Sequence, residues 1–320
     1  MNAILGHIPV PASPPEPQTI WTSDPARETA LLALLLLCAG AVTGALTLAP
    51  VLHTPSLAYP VQGEQTATAP EGEEAPPREP VATPARNTSP QRTANVERTW
   101  VQVGGVGVNA IAVNPQGRNV RLLPGFAAGT DLSANRFRFE GFGAMVRRYR
   151  PRAAVNGTYF HLRTAEPTGS IVADGQLVHR GGYGAAFYVL RDGQAAIDFT
   201  ARAGRPYHWP KEVVTGLRSG PSLVRDYAIA VMYGREEGYR DPHVFGTARR
   251  SALGVTASGK VLLVTVQTPV TLNKLAHIML RLGAKDAVNL DGGSSSALYS
   301  NGQFVTIPRR RLSHIMMVYD

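Results

Sequence analysis

The pattern of apolar and polar positions divides the chain into three stretches. Thr29 to Ala49 (TALLALLLLCAGAVTGALTLA) contains no charged residue. As a helix rising ~1.5 Å per residue it reaches ~30 Å, the thickness of a bilayer's hydrocarbon core. Residues 50–96 then run through Pro, Thr, Ala and Glu without periodicity (TATAPEGEEAPPREPVATPARNTSP). Too few apolar side chains are present there to offset the entropy of ordering, so the stretch reads as a disordered, extended linker. From Trp100 onward the pattern changes to short apolar runs between turn residues. Val101–Val103, Val106–Val113 and Val120–Leu123 predict strands, and Phe142, Met145, Val146 and Tyr149 mark one face of a helix over Glu140–Arg150 that Pro151 closes. Strands follow at Ala153–Val155, Ser251–Val255, Val261–Val266 and Ala287–Leu290. Thr271 is placed to cap a helix carrying Leu272, Leu275, Ala276, Met279 and Leu282, with Gly283 as its stop.

These elements give an α+β fold class: a mixed β-sheet domain with a few packed helices over residues 97–320, preceded by one transmembrane helix and the linker. Two segments share a plan, AMVRRYRPRAAVN (144–156) and IMLRLGAKDAVN (278–289): helix, turn, apolar strand, Asn. They predict two related half-units whose Asn-ended strands lie side by side in one sheet. Strand ends with tight turns are where open sheets usually place ligands.

Charge sharpens this division. Residues 1–96 carry 4 Lys/Arg and 8 Asp/Glu, whereas residues 97–320 carry 28 and 15, a net of +13 with 24 arginines. A basic domain suits an anionic partner: an acidic lipid surface if the arginines cluster on one side, or a phosphorylated sugar or anionic glycan. Nucleic acid is excluded, since no basic block with interleaved aromatics occurs and Arg147-Arg148 and Arg309-Arg310-Arg311 are too short to act as tails. The one cysteine, Cys38, lies in the apolar leader, so the basic domain has no disulfide and no thiolate chemistry. Arg27 precedes the apolar stretch and the next cation is Arg78, which favours residues 1–28 as a cytoplasmic tail and the remainder as extracytoplasmic. Membrane contact through residues 29–49 is therefore expected as an anchor. Cleavage after Ala49 or Ala58 would instead release a secreted protein.

The densest chemistry lies at Asn289-Leu290-Asp291-Gly292-Gly293-Ser294-Ser295-Ser296. An apolar strand delivers an amide and a carboxylate to a turn whose glycines permit backbone angles a Cβ would forbid, with hydroxyls and N–H groups that suit an anion. No Gly-Lys-Ser/Thr follows, so this is not a Walker loop, and Gly-x-Ser-x-Gly is absent. The surrounding TLNKLAHIMLRLGAKDAVNLDGGSSSALYSNGQ (271–303) resembles the signature of the phosphodiester glycosidase family. AVNGTYF (154–160), GSIVADGQLV (169–178), RSGPSLV (218–224) and RRSALGVT (249–256) resemble further family elements in the same order. Departures are Thr158 and Ser294 in place of glycines, Ser219 beside Arg218, and Gln267-Thr268-Pro269 where the family runs Asp-Gly-Arg into a longer loop.

The resemblance implies a hydrolase that cleaves the C1–O bond of a sugar-1-phosphodiester in envelope or exopolysaccharide material. It implies Asp291 as the catalytic carboxylate, with Asn289 and Asn156 orienting the sugar or the water. Arg250, Arg218, Gly292, Gly293, Ser294 and Ser295 would hold the phosphate, and Gly157 and His161 would complete the substrate contacts. A second acid is not assigned; His161 and Glu166 are the nearest candidates. No cofactor is called for, and a metal on Asp291 is left open. The altered Gln267–Val270 wall favours the alternative of a non-catalytic glycan-binding module on the same fold.

Overall fold

A computed structural model describes residues 94–320. The expected tail, the apolar span and the linker up to residue 93 lie outside the described residues. Among the described residues no helix is long and apolar enough to cross a membrane.

Seventeen strands form three sheets. The first has seven strands, in spatial order Val96–Val103 (β1), Val106–Val113 (β2), Val261–Val270 (β13), Ala248–Thr256 (β12), Ala284–Asn289 (β14), Ser222–Arg225 (β10) and Ala228–Ile229 (β11). The second has five, Gln303–Thr306 (β16), Leu298–Ser300 (β15), Ala153–Asn156 (β4), His314–Tyr319 (β17) and Arg121–Phe126 (β3). The third joins Gln176–Gly182 (β6), Gly169–Ala173 (β5), Val213–Ser219 (β9), Ala185–Leu190 (β7) and Ala195–Asp198 (β8). Helices are few: Phe142–Tyr149 (α1), the single turn Pro242–Phe245 (α2) and Leu272–Arg281 (α3).

The largest apolar cluster draws Ile111, Phe187, Leu253, Val288, Leu298 and Met316 from all three sheets. Two smaller clusters lie beneath the helices: Leu275 and Met279 of α3 pack on Val264 and Ala287, and Met145 of α1 packs near Ala154 and Ile315. The first two sheets are thus buried on both faces, which explains why β13 opens as an unbroken apolar run (VLLVTV) rather than an alternating one. Gln267–Val270, expected as a loop, instead continues β13 with three exposed residues and a register shift opposite Ala248–Arg250.

Both long helices end as predicted. Arg150 closes α1 in the left-handed region just before Pro151, and Gly283 follows α3 at φ +87°. The Thr271 hydroxyl accepts the Lys274 N–H at 3.2 Å as an N-cap. Thr271→Ala should therefore cost about 1 kcal/mol in chemical denaturation, and Thr271→Ser almost nothing.

Two expectations are corrected. Every strand ladder among the described residues is antiparallel, so the sheets are not mixed. The parallel relation suggested by each strand–helix–strand unit is present, but another strand is wedged between the two ends. β3–α1–β4 encloses β17, and β13–α3–β14 encloses β12. The Asn-ended strands β4 and β14 also belong to different sheets. The half-units are nevertheless related, because β16-β15-β4-β17-β3 and β11-β10-β14-β12-β13 have the same neighbour order and place their helix and edge hairpin equivalently.

Candidate active site

The related strands meet end to end. The Asn156 side chain donates to the Asp291 carbonyl at 2.7 Å, and the Asp291 N–H donates to the Gly157 carbonyl at 3.1 Å. Each asparagine also braces the residues entering its neighbouring hairpin. Asn156 accepts the Ala297 N–H at 3.0 Å before β15, and the Asn289 backbone N–H donates to Pro221 at 3.0 Å before β10. The position matching Asp291 in the first half-unit is Thr158, so only the second half-unit supplies a carboxylate.

Asp291 is 8% exposed. Burial raises its pKa to about 6, against the opposing pull of the Ser295 hydroxyl, the Arg310 charge and the Gly292 N–H. Its turn is tightly built. A Cβ on Gly292 would stand 2.8 Å from the Arg249 carbonyl, and Gly293 has φ +58°. The Ser295 N–H is used within the turn, on the Gly292 carbonyl at 3.0 Å, and the Ser294 carbonyl accepts the Arg309 N–H at 2.7 Å.

Asn289 turns its amide N–H groups to the Leu290 carbonyl (2.6 Å), the Tyr159 hydroxyl (2.8 Å) and, more distantly, the Gly220 carbonyl (3.4 Å). Its Oδ1 is buried without a partner among the described residues. The Tyr159 phenol is pushed far above its ordinary pKa, first by burial and then by the Asp291 charge, so it remains a proton donor. Tyr159 lines a cleft of about 610 Å³ with Tyr239, Tyr183, His161, Asp241 and Val244. The three tyrosines form a series, with ring centroids 5.6 and 5.9 Å apart, and offer the flat apolar faces and hydroxyl tips that a sugar ring requires.

Two arginines stand behind the cleft walls. Arg250 donates to the carbonyls of Val244 (3.1 Å), Val270 (3.3 Å) and Gly246. Arg218 donates to Gly184 (3.0 Å), Arg202 (3.1 Å), Gly182 (3.4 Å) and Arg205 (3.4 Å). Both are fully buried, and neither takes part in any ion pair among the described residues. Burial lowers both pKa values, yet a guanidinium stays charged in proteins. Positive charges that touch no carboxylate directly are costly in a core. They give this cleft a fixed positive field rather than flexible hands, because their donors are committed to the backbone.

The remaining predicted residues take different places. The Asn156 side chain is fully engaged with backbone at Gly157, Asp291 and Ala297, so it shapes the turn instead of facing the cleft. Gly157 lies against His314, whose ring atoms would stand 2.2 Å from an added Cβ, and its own N–H is bonded to the His314 carbonyl at 3.2 Å. His161 is exposed on the cleft rim, in a turn closed by its N–H to the Glu166 carbonyl at 2.9 Å. Glu166 is half-buried and accepts a bond from the Asn135 amide at 3.0 Å.

Sequence reasoning missed Tyr159, Tyr239, His314 and Glu237. Tyr159 stood inside the Asn-Gly-Thr-Tyr-Phe element and was legible there as a polar group one residue beyond a tight turn. Glu237 and Tyr239 sit in REEGYR (235–240), which carries no motif. The Glu237 carboxylate accepts the Ser222 N–H at 2.8 Å and the Ser222 hydroxyl, and burial raises its pKa while Arg218 and Ser222 oppose the shift. Ten buried side-chain polar atoms lack a partner among the described residues. Seven of them belong to Thr158, Tyr239, Ser251, Asn289, Ser295, Ser296 and His314, on the segments that meet around Asp291. Stable cores rarely leave such atoms unpaired, so their concentration marks this region as built for polar chemistry. No group of three His, Cys, Asp or Glu side chains is assembled for a metal among the described residues.

The chain resembles the N-acetylglucosamine-1-phosphodiester α-N-acetylglucosaminidases of Mus musculus (28% identical over 171 residues, 49% of this chain and 33% of that protein) and Bos taurus (26% over 192 residues, 52% and 36%). It thus spans about a third of the length of these curated relatives. In fold it resembles the zebrafish N-acetylglucosamine-1-phosphodiester α-N-acetylglucosaminidase catalytic domain auto-inhibited by its pro-peptide, with a TM-score of 0.58 at 21% identity over 72% of this chain and 85% of that one. A hypothetical protein from Synechocystis aligns with a TM-score of 0.52 at 18% identity over 70% and 61%. The phosphodiester glycosidase family model matches residues 149–319, which hold β4, β14 and every residue of the site described above. This chain belongs to the phosphodiester glycosidase family.

Proposed function

We propose that the domain hydrolyses the C1–O bond of a sugar-1-phosphodiester in extracytoplasmic envelope or exopolysaccharide material, with Asp291 as the carboxylate that activates water or attacks C1. The observation that carries this reading is a buried carboxyl, its pKa raised to about 6, on a turn whose Asn289 bonds the cleft residue Tyr159. Water adds its oxygen to C1 and gives its proton to Asp291, the C1–O bond breaks, and the electron pair leaves on a phosphate monoester. A phosphate departs readily, so the site needs charge stabilisation more than a strong acid. Arg218 and Arg250 supply it as a field through the cleft wall. Tyr159, held by Asn289, donates a hydrogen bond to a substrate oxygen, and Tyr183 and Tyr239 flank the ring. Asn156 and Gly157 hold Asp291 in register.

The test is reducing-sugar release by the full chain from a panel of sugar-1-phosphodiesters. Release is expected, and silence from a folded protein across the panel would shift the reading to glycan binding without catalysis. The pH profile gives an independent check. A base or nucleophile must be ionised, so kcat/KM should rise tenfold per pH unit below about pH 6 and level off above it. A profile that falls above pH 6 would reassign Asp291 as an acid.

A further inference from the structure

The loop after β16 carries a surface that the proposed hydrolysis does not use. Phe304 and Ile307 are 41% and 65% exposed, and they lie among Arg147, Arg309, Arg310 and Arg311. Two grooves of about 430 and 530 Å³ share Phe304 between them, the first floored by Phe142 and Pro308 and the second bounded by Tyr299 and Arg150. None of the four arginines forms an ion pair among the described residues. The nearby acid, Glu140, is bound to Arg148 at 2.5 Å. Exposed aromatic and aliphatic tips set among arginines with no ion pair are suited to a partner that is both anionic and partly apolar.

From this placement we infer that the Phe304–Arg311 face docks on an anionic bilayer surface, with the guanidiniums on lipid phosphates and Phe304 and Ile307 in the interfacial zone. Charge complementarity selects an anionic partner, and the apolar tips select a bilayer over a glycan. A hydrated polysaccharide has no apolar zone in which an isoleucine could be buried, whereas the headgroup–acyl boundary accepts both tips while phosphates meet the arginines. The docking is independent of the hydrolytic reading. It also has a consequence for it, because the Arg309 N–H is bonded to Ser294 at 2.7 Å and so ties this face to the turn bearing Asp291.

Hydrogen exchange on the full chain reads the contact locally, whatever the N-terminal residues do. The chain would be reconstituted in phosphatidylcholine vesicles with and without phosphatidylglycerol. Exchange at Ile307–Arg311 should slow by roughly tenfold only when the anionic lipid is present, and the protection should fade with added salt. Arg309→Gln/Arg311→Gln and, separately, Ile307→Ser should each remove most of it while protection of the buried strands β12 and β14 is unchanged. Equal exchange in both vesicle types would overturn the inference. So would protection by a soluble anionic polysaccharide or by glycerol phosphate alone, which would assign the face to a glycan or to a free phosphate.

Discussion

Asp291→Asn is expected to lower kcat/KM on the order of 10³-fold and, at the same time, to stabilise the domain. The first effect follows from removing the one carboxylate that the two meeting strand ends deliver. The second follows from linkage. The folded pKa is raised from 3.8 to about 6, so the unfolded chain holds the charge more easily than the folded one. Stability from this group is complete below pH ~4 and is lost as the pH rises through 6, leaving a penalty of about 3 kcal/mol at neutral pH. The asparagine variant avoids that penalty. Denaturation should therefore show the variant more stable by about 2–3 kcal/mol at pH 7.5, with the gap closing at pH 4. A variant that loses activity but is destabilised at pH 7.5 would show Asp291 to be structural in its ionised form.

Gly157→Ala should damage both properties. An added Cβ would stand 2.2 Å from His314 Cδ2 and Nε2, and that ring cannot retreat easily. It is buried, faces Phe126 at 6.4 Å between centroids, and accepts the Thr158 N–H on Nε2 at 3.1 Å. Burial holds the ring neutral, with its pKa lowered to about 3, as that acceptor role requires. Overpacking here should cost about 3 kcal/mol. Because the Gly157 carbonyl holds the Asp291 N–H, the shift passes directly to the carboxylate, and a displacement near 1 Å should remove about 10² of kcat/KM. The two variants thus separate by the sign of their stability change, measured by denaturation alongside turnover. Full activity in Gly157→Ala would mean that the turn relaxes independently of β4.

Much of this was legible in the chain. The helices α1 and α3 declared themselves through apolar spacing, a Thr cap, a left-handed or glycine stop and a proline, all interactions within one helical turn. The strand into Asn289 and the glycine turn beyond it were equally local. The relation between residues 144–156 and 278–289 was also visible, since each half-unit repeats its own periodicity.

Partners were not legible. Asn156 and Asp291 are 135 residues apart in the chain, and only the meeting of two sheets shows that the asparagine braces the carboxylate's turn. The same holds for Arg218 and Arg250. A sequence shows an arginine, but its role depends on whether its donors meet carboxylates, carbonyls or solvent, and here they meet carbonyls behind a wall. Glu237 and Tyr239 carried no local signal at all. Side-chain chemistry and local backbone preference are properties of short segments, so the sequence by itself determined the elements, the basic charge and the Asp291 turn. Burial, pKa and convergence depend on which distant segments exclude water from one another, and those only the tertiary structure decided.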